Sequence, residues 1–175
     1  FTKNAEKFGA RFEYDVVTAV DLSKRPFKLT TYGKEYLTQS LILTTGASPN
    51  KLNIAGEKEL TGRGVSYCAT CDGWFFKDKK VAVVGGGDSA LEEGIFLTRY
   101  ASSVTIIHRR NELRASVLLQ KRAKENPKIS FILDTVVEAI EGKDAVSGLE
   151  LKNIKNGESN TLAVDGVFIF VGHSP

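Results

Sequence analysis

The chain has 175 residues, 42% hydrophobic and 26% charged, which excludes collagen-like and disordered classes. Its 24 Lys and Arg against 21 Asp and Glu leave a net charge of +3, too small to argue for a nucleic-acid partner. The apolar runs at 41–43 and 81–84 fall far short of the ~20 residues that cross a bilayer, so no membrane segment is expected.

The opening residues mix charge with aromatics and lack the apolar stretch of a secretory leader. The chain starts at Phe1 and contains no Met, so it is expected to be a piece of a longer polypeptide. Residues 11–45 read as strands. Phe12, Tyr14 and Val16 alternate with Glu13 and Asp15, Phe27, Leu29 and Thr31 alternate ahead of a Tyr32-Gly33-Lys34 turn, and another strand resumes at Glu35. Residues 41–44 predict a short buried strand, broken by Thr45-Gly46-Ala47-Ser48-Pro49. Residues 46–64, rich in Gly, Asn and Lys, suggest a linker between domains.

From Lys79 the pattern changes. Residues 80–84 form a buried-strand signature running directly into Gly85-Gly86-Gly87. A helix is predicted next, capped by Asp88 or Ser89, with Ala90, Leu91, Gly94, Ile95 and Leu97 on its apolar face. A second strand at 103–107 closes a βαβ unit. A helix over 112–125 follows, then strands near 129–133, 135–141, 147–153 and 160–164, and a last buried strand at 167–171.

Gly85-Gly86-Gly87-Asp88-Ser89-Ala90 reads G-x-G-x-x-A, the dinucleotide fingerprint. Gly85 would allow the tight turn, Gly87 the close approach of a pyrophosphate, and Ala90 close helix–strand packing. At the end of the second strand an NAD-selective fold carries Asp or Glu for the ribose 2′-hydroxyl. This chain has His108-Arg109-Arg110 there, with Arg114 four residues on. Guanidinium forks suit a phosphate, so NADPH is expected over NADH, and Arg110 and Arg114 would share a face if a helix begins nearby. A plain β-to-α turn and a solvated basic helix start are the ordinary alternatives.

Cys68-Ala69-Thr70-Cys71 is the only cysteine pair, spaced so that one helical turn brings the sulfurs within disulfide reach. Redox chemistry is expected rather than zinc, which needs four ligands. Asp72 is either a proton carrier for thiol exchange or a turn residue with Gly73. Trp74, Phe75 and Phe76 could shield the pair, dock a partner or belong to the core. A hydride donor and a dithiol on one polypeptide imply a flavin between them, and no second glycine fingerprint is present to hold one.

Taken in order, Gly64-Val65-Ser66-Tyr67-Cys68-Ala69-Thr70-Cys71-Asp72-Gly73, the glycine turn, the 108–115 segment and the terminal Gly172-His173-Ser174-Pro175 closely resemble the low-molecular-weight thioredoxin reductases. The resemblance implies an α/β fold: a Rossmann-like three-layer NAD(P)-binding domain over 50–175, with parallel sheet, helices and a β-meander, and a partial FAD-binding domain over 1–49. It implies that Cys68 attacks the disulfide of thioredoxin, that Cys71 is the flavin-proximal sulfur and that Asp72 is the acid/base. It further implies that His108, Arg109, Arg110 and Arg114 hold the 2′-phosphate, and that Thr45 and Gly46 touch FAD. NADPH and FAD would be the cofactors, thioredoxin the partner, the whole protein a cytoplasmic homodimer, and the 175 residues alone inactive in turnover. Sister readings are the reductase of an alkyl hydroperoxide system, a ferredoxin-linked relative, and a non-catalytic NADP-binding module.

Overall fold

The computed structural model describes all 175 residues, which divide into two compact units, Phe1–Gly46 and Ala47–Pro175. The first holds a one-turn helix α1 (Thr2–Glu6) and an antiparallel sheet of β1 (Val17–Asp21), β2 (Phe27–Thr31) and β3 (Glu35–Thr38), in the order β1-β2-β3. Thr31 fixes the β2–β3 turn: its hydroxyl accepts from the Lys34 N–H at 3.0 Å and donates to the Lys34 carbonyl at 3.1 Å.

Two strand expectations fail in this unit. Residues 12–16 are not a strand, because Val17 already pairs with Thr31, the last residue of β2 before the turn, and nothing remains to pair with earlier residues. Residues 41–44 are not a buried strand either. The Thr38 hydroxyl turns back onto the Ser40 carbonyl at 2.7 Å, the chain leaves the sheet, and Ile42 and Leu43 stay exposed. Apolar alternation makes a strand only where a ladder partner exists.

The second unit starts with β4 (Ser48–Pro49) and continues through β5 (Val65–Ser66), α2 (Ala69–Asp72), a 3-10 turn (Gly73–Phe76), β6 (Lys80–Val84), α3 (Asp88–Leu97) and β7 (Ser103–Ile107). Then come α4 (Val117–Lys124), β8 (Ile129–Ile132), β9 (Thr135–Gly142), β10 (Val146–Asn153), β11 (Ser159–Leu162), β12 (Gly166–Ile169) and β13 (His173–Ser174). A five-stranded parallel sheet runs β5-β12-β6-β7-β8, β9 to β11 form an antiparallel meander, and β13 pairs with β4.

Three layers follow from the period-two alternation of the central strands. Ala82, Val84, Ile107, Val167 and Ile169 face the meander, where they pack with Val137, Ile140, Leu149 and Leu151. Val81, Val83, Val104, Ile106 and Phe168 face the helices, meeting Ala90, Leu91 and Leu97 of α3 and Ala123 of α4. Leu91 and Leu97 are fully buried, each worth about 1.5–3 kcal/mol of transfer free energy. The fold is the expected α/β, Rossmann-like three-layer arrangement of helices, parallel sheet and meander.

Three further expectations need correction. Residues 46–64 are not a bare linker: Leu60 is buried, Leu52 and Ile54 pack on the meander-side core, and the Ile140 N–H donates to the Ala55 carbonyl at 2.9 Å. The N-cap of α3 is Gly87 rather than Asp88 or Ser89, and no side chain caps it. Asp88 instead accepts from the Ser116 N–H at 2.6 Å. Finally, the helix expected over 112–125 starts only at Val117; the loop before it is tied to the glycine turn, the Arg114 and Ala115 N–H groups donating to the Gly86 carbonyl at 2.7 and 3.1 Å. Arg110 and Arg114 therefore share no helical face.

Candidate functional site

A cleft of about 740 Å³ opens where the sheet order reverses, beyond the C-terminal ends of β6, β7 and β12, the position at which open α/β sheets take ligands. Val84 runs into Gly85, whose φ of +148° suits glycine and whose hydrogen faces Ala90; a Cβ there would approach the Ala90 Cβ to 2.8 Å. Gly87 opens onto free space, with nothing within 4 Å of where a Cβ would stand. Its backbone leads into the first turn of α3, whose N–H groups and dipole favour an anion.

The opposite lip is the segment after β7. His108 is buried with its ring pressed flat onto Gly86, a position where any Cβ would overlap the imidazole. Burial, then Arg110 and Arg109, push its pKa below the ordinary range, so the ring is neutral at pH 7. Arg109, Arg110 and Arg114 are exposed and line the cleft. All ten residues singled out as nucleotide ligands, Gly85 to Ala90 with His108, Arg109, Arg110 and Arg114, line this one cleft. The chemistry of the lining, an open glycine turn together with three arginines, would suit the phosphates of a dinucleotide. Thr45 and Gly46 lie outside it, exposed at the end of the first unit.

Cys68 and Cys71 also lie outside it, joined in a disulfide across α2 with Cα atoms 5.3 Å apart. Cys68 is the N-cap of that turn, and its Sγ accepts from the Cys71 N–H at 3.2 Å and meets the Thr70 Oγ1 at 3.4 Å. Both contacts would favour a thiolate on Cys68 once the bond opens. Cys71 is the more exposed of the two.

Residues that sequence reasoning passed over hold this turn. The buried Ser66 hydroxyl donates to Asp72 Oδ2 at 2.6 Å and accepts from the Cys68 N–H at 3.1 Å, so Asp72 is anchored beside the cystine. Glu93 reaches from α3 to the start of α2, near the Ala69 and Thr70 N–H groups. Burial, and next the neighbouring Glu92, hold its pKa above the usual carboxylate range. Its Oε2 is buried without a partner. Phe76 belongs to the core, edge-on to Phe168 at 5.1 Å, whereas Trp74 and Phe75 are 63% and 70% exposed beside the cystine turn. No helix is long and apolar enough to cross a membrane.

The chain is 51% identical over 172 residues to a thioredoxin reductase of Streptomyces coelicolor, a match covering 98% of this chain and 53% of that protein. It is 49% identical over 175 residues to a thioredoxin reductase of Rickettsia prowazekii, covering 98% and 56%. The solved thioredoxin reductase of Lactococcus lactis superposes with a TM-score of 0.79 at 45% identity, covering 97% of this chain and 56% of that one. The chain thus spans about half the length of the curated relatives it matches. The family model described as pyridine nucleotide-disulphide oxidoreductase matches residues 3–175, and the chain belongs to that family.

Proposed function

We propose that this chain is the NADPH-binding and disulfide-bearing part of a thioredoxin-disulfide reductase. The observation that carries the reading is the presence, on one compact unit, of an arginine-lined dinucleotide cleft and an accessible cystine. Residues 50–175 act as the NADPH domain and 1–49 as part of an FAD domain. When bound, NADPH supplies a hydride, and FAD, held mainly by chain other than these residues with contacts at Thr45 and Gly46, converts it into the electron pair a disulfide accepts.

This chain's own residues do the rest. The glycine turn and the N-terminus of α3 receive the pyrophosphate, while His108, Arg109, Arg110 and Arg114 surround the 2′-phosphate. His108 contributes packing and hydrogen bonding, and the arginines carry the permanent positive charge. Cys68 is the sulfur that attacks thioredoxin, its thiolate stabilised by the Cys71 N–H and the Thr70 hydroxyl. Cys71 receives electrons, and Asp72, held by Ser66, carries the exchange proton. The whole protein is read as a cytoplasmic homodimer.

The test is covalent capture. A Cys71→Ser chain mixed with a single-cysteine thioredoxin, activated as its aromatic mixed disulfide, should form a one-to-one adduct as the Cys68 thiolate displaces the aromatic thiolate. The Cys68→Ser chain should react at least about tenfold more slowly, since Cys71 lacks the same donors. Equal rates would overturn the assignment of the two sulfurs.

A further inference from the structure

We infer that Glu57 is a positioning residue that couples the wall of the nucleotide cleft to the turn carrying the cystine, so that the redox state of one alters the affinity of the other. The inference rests on the nucleotide reading above and deepens it.

Glu57 is 2% exposed, and both carboxylate oxygens are engaged. Oε1 accepts from the Leu52 N–H at 3.0 Å and from the Tyr67 hydroxyl at 2.8 Å, and Oε2 accepts from the Asn53 N–H at 2.6 Å. The first and third of these bonds hold the cleft wall. Leu52 and Ile54 line the cleft, and Asn53 between them sits at a φ of +57°, a left-handed turn that the carboxylate fixes from inside. The middle bond reaches the redox segment, because Tyr67 is covalently joined to Cys68 and is flanked on its other side by Ser66, the anchor of Asp72. Burial first, and Glu57 second, push the Tyr67 pKa up to about 12, so the phenol remains a donor throughout the neutral range.

A continuous path therefore runs from Leu52 and Asn53 through the Glu57 carboxylate and the Tyr67 ring to Cys68. A buried carboxylate is costly to desolvate, and here the Leu52 and Asn53 N–H groups and the Tyr67 hydroxyl compensate it, three donors that an apolar side chain would leave without a partner. What only the carboxylate supplies is simultaneous attachment to both segments. Opening the cystine frees the Cys68 backbone from its link to Cys71. A dithiol reductant supplies two electrons and two protons, the S–S bond breaks to two thiols, and the reductant closes to its own cyclic disulfide. Any shift of Tyr67 that follows is delivered to the two N–H groups of the cleft wall.

The experiment titrates NADPH into the oxidised chain and into the chain reduced with dithiothreitol. The expected result is a difference in Kd of about fivefold. By reciprocity, saturating NADPH should move the potential of the cystine by about 20 mV, the same factor for a two-electron couple. Tyr67→Phe, and separately Glu57→Gln, should bring the ratio toward one while leaving the preference for NADPH over NADH intact. A purely structural carboxylate would lower affinity equally in both redox states. Equal affinities in the two states of the unaltered chain would overturn the inference, and a ratio that survives both substitutions would overturn its assignment to this path. Absence of NADPH binding in either state would instead overturn the nucleotide reading.

Discussion

Replacing Gly86 with Ala tests whether the cleft is built by packing His108 against a bare backbone. The φ of Gly86 lies in a range open to any residue, so the substitution acts sterically and not through backbone strain. The added methyl would overlap three atoms of the buried imidazole, so the ring must give way toward the cleft it lines. Overpacking of this kind costs about 1–3 kcal/mol. At roughly 2–4 °C per kcal/mol for a chain of this size, the melting temperature should fall by about 2–12 °C. Because the Gly86 carbonyl accepts from Arg114 and Ala115, the same displacement should loosen the arginine loop and weaken NADPH several-fold. The decisive comparison is a double-mutant cycle with His108→Ala, which removes the obstructing ring. The double variant should be more stable than the sum of the single losses by about 1–2 kcal/mol, measured by urea denaturation. Strict additivity would refute the packing argument.

Two further outcomes follow from the same geometry. Arg109→Ala combined with Arg110→Ala should weaken NADPH by about a hundredfold or more, since each charge-assisted bond is worth about 1.5–3 kcal/mol, while NADH binding in the same calorimetric titration stays unchanged; equal losses would mean the pair does not read the 2′-phosphate. Glu93, held above the usual carboxylate range by burial and then by Glu92, binds its proton more tightly in the folded chain than in the unfolded one. That contribution is full below the unfolded value near 4.5 and is lost as pH rises through the higher folded value. Glu93→Gln needs no proton, so its stability relative to the parent should improve between pH 4.5 and 7 in denaturant melts; a constant difference would contradict the reading.

Local chemistry made the cleft legible. A buried run ending in three glycines permits few structures other than a strand feeding a helix, and the arginines after the second strand stand where a nucleotide's ribose is read. The cystine turn was equally plain, since two intervening residues in one helical turn leave the sulfurs little alternative. What escaped was whatever depends on distant partners. Nothing in the spelling of residues 46–64 announces that Glu57 will be satisfied by Tyr67, ten positions away, and its glycines and asparagines look like a linker until Leu52, Ile54 and Leu60 are seen to pack. The helix at 112–125 started late for the same reason, because residues 114–116 are tied to Gly86 and Asp88, far off in sequence. Residues 12–16 and 41–44 carry sound strand patterns but lack a ladder partner, a condition that no local pattern encodes.

The proposed function requires first that the arginine-lined cleft prefer a phosphorylated nicotinamide nucleotide. Calorimetric titration of the 175-residue chain with NADPH and with NADH, at equal and low ionic strength, addresses it most directly. The account predicts NADPH binding at least about tenfold tighter, with the gap narrowing as salt is raised and the arginines are screened. Equal affinity for the two nucleotides, or tighter binding of NADH, would contradict it.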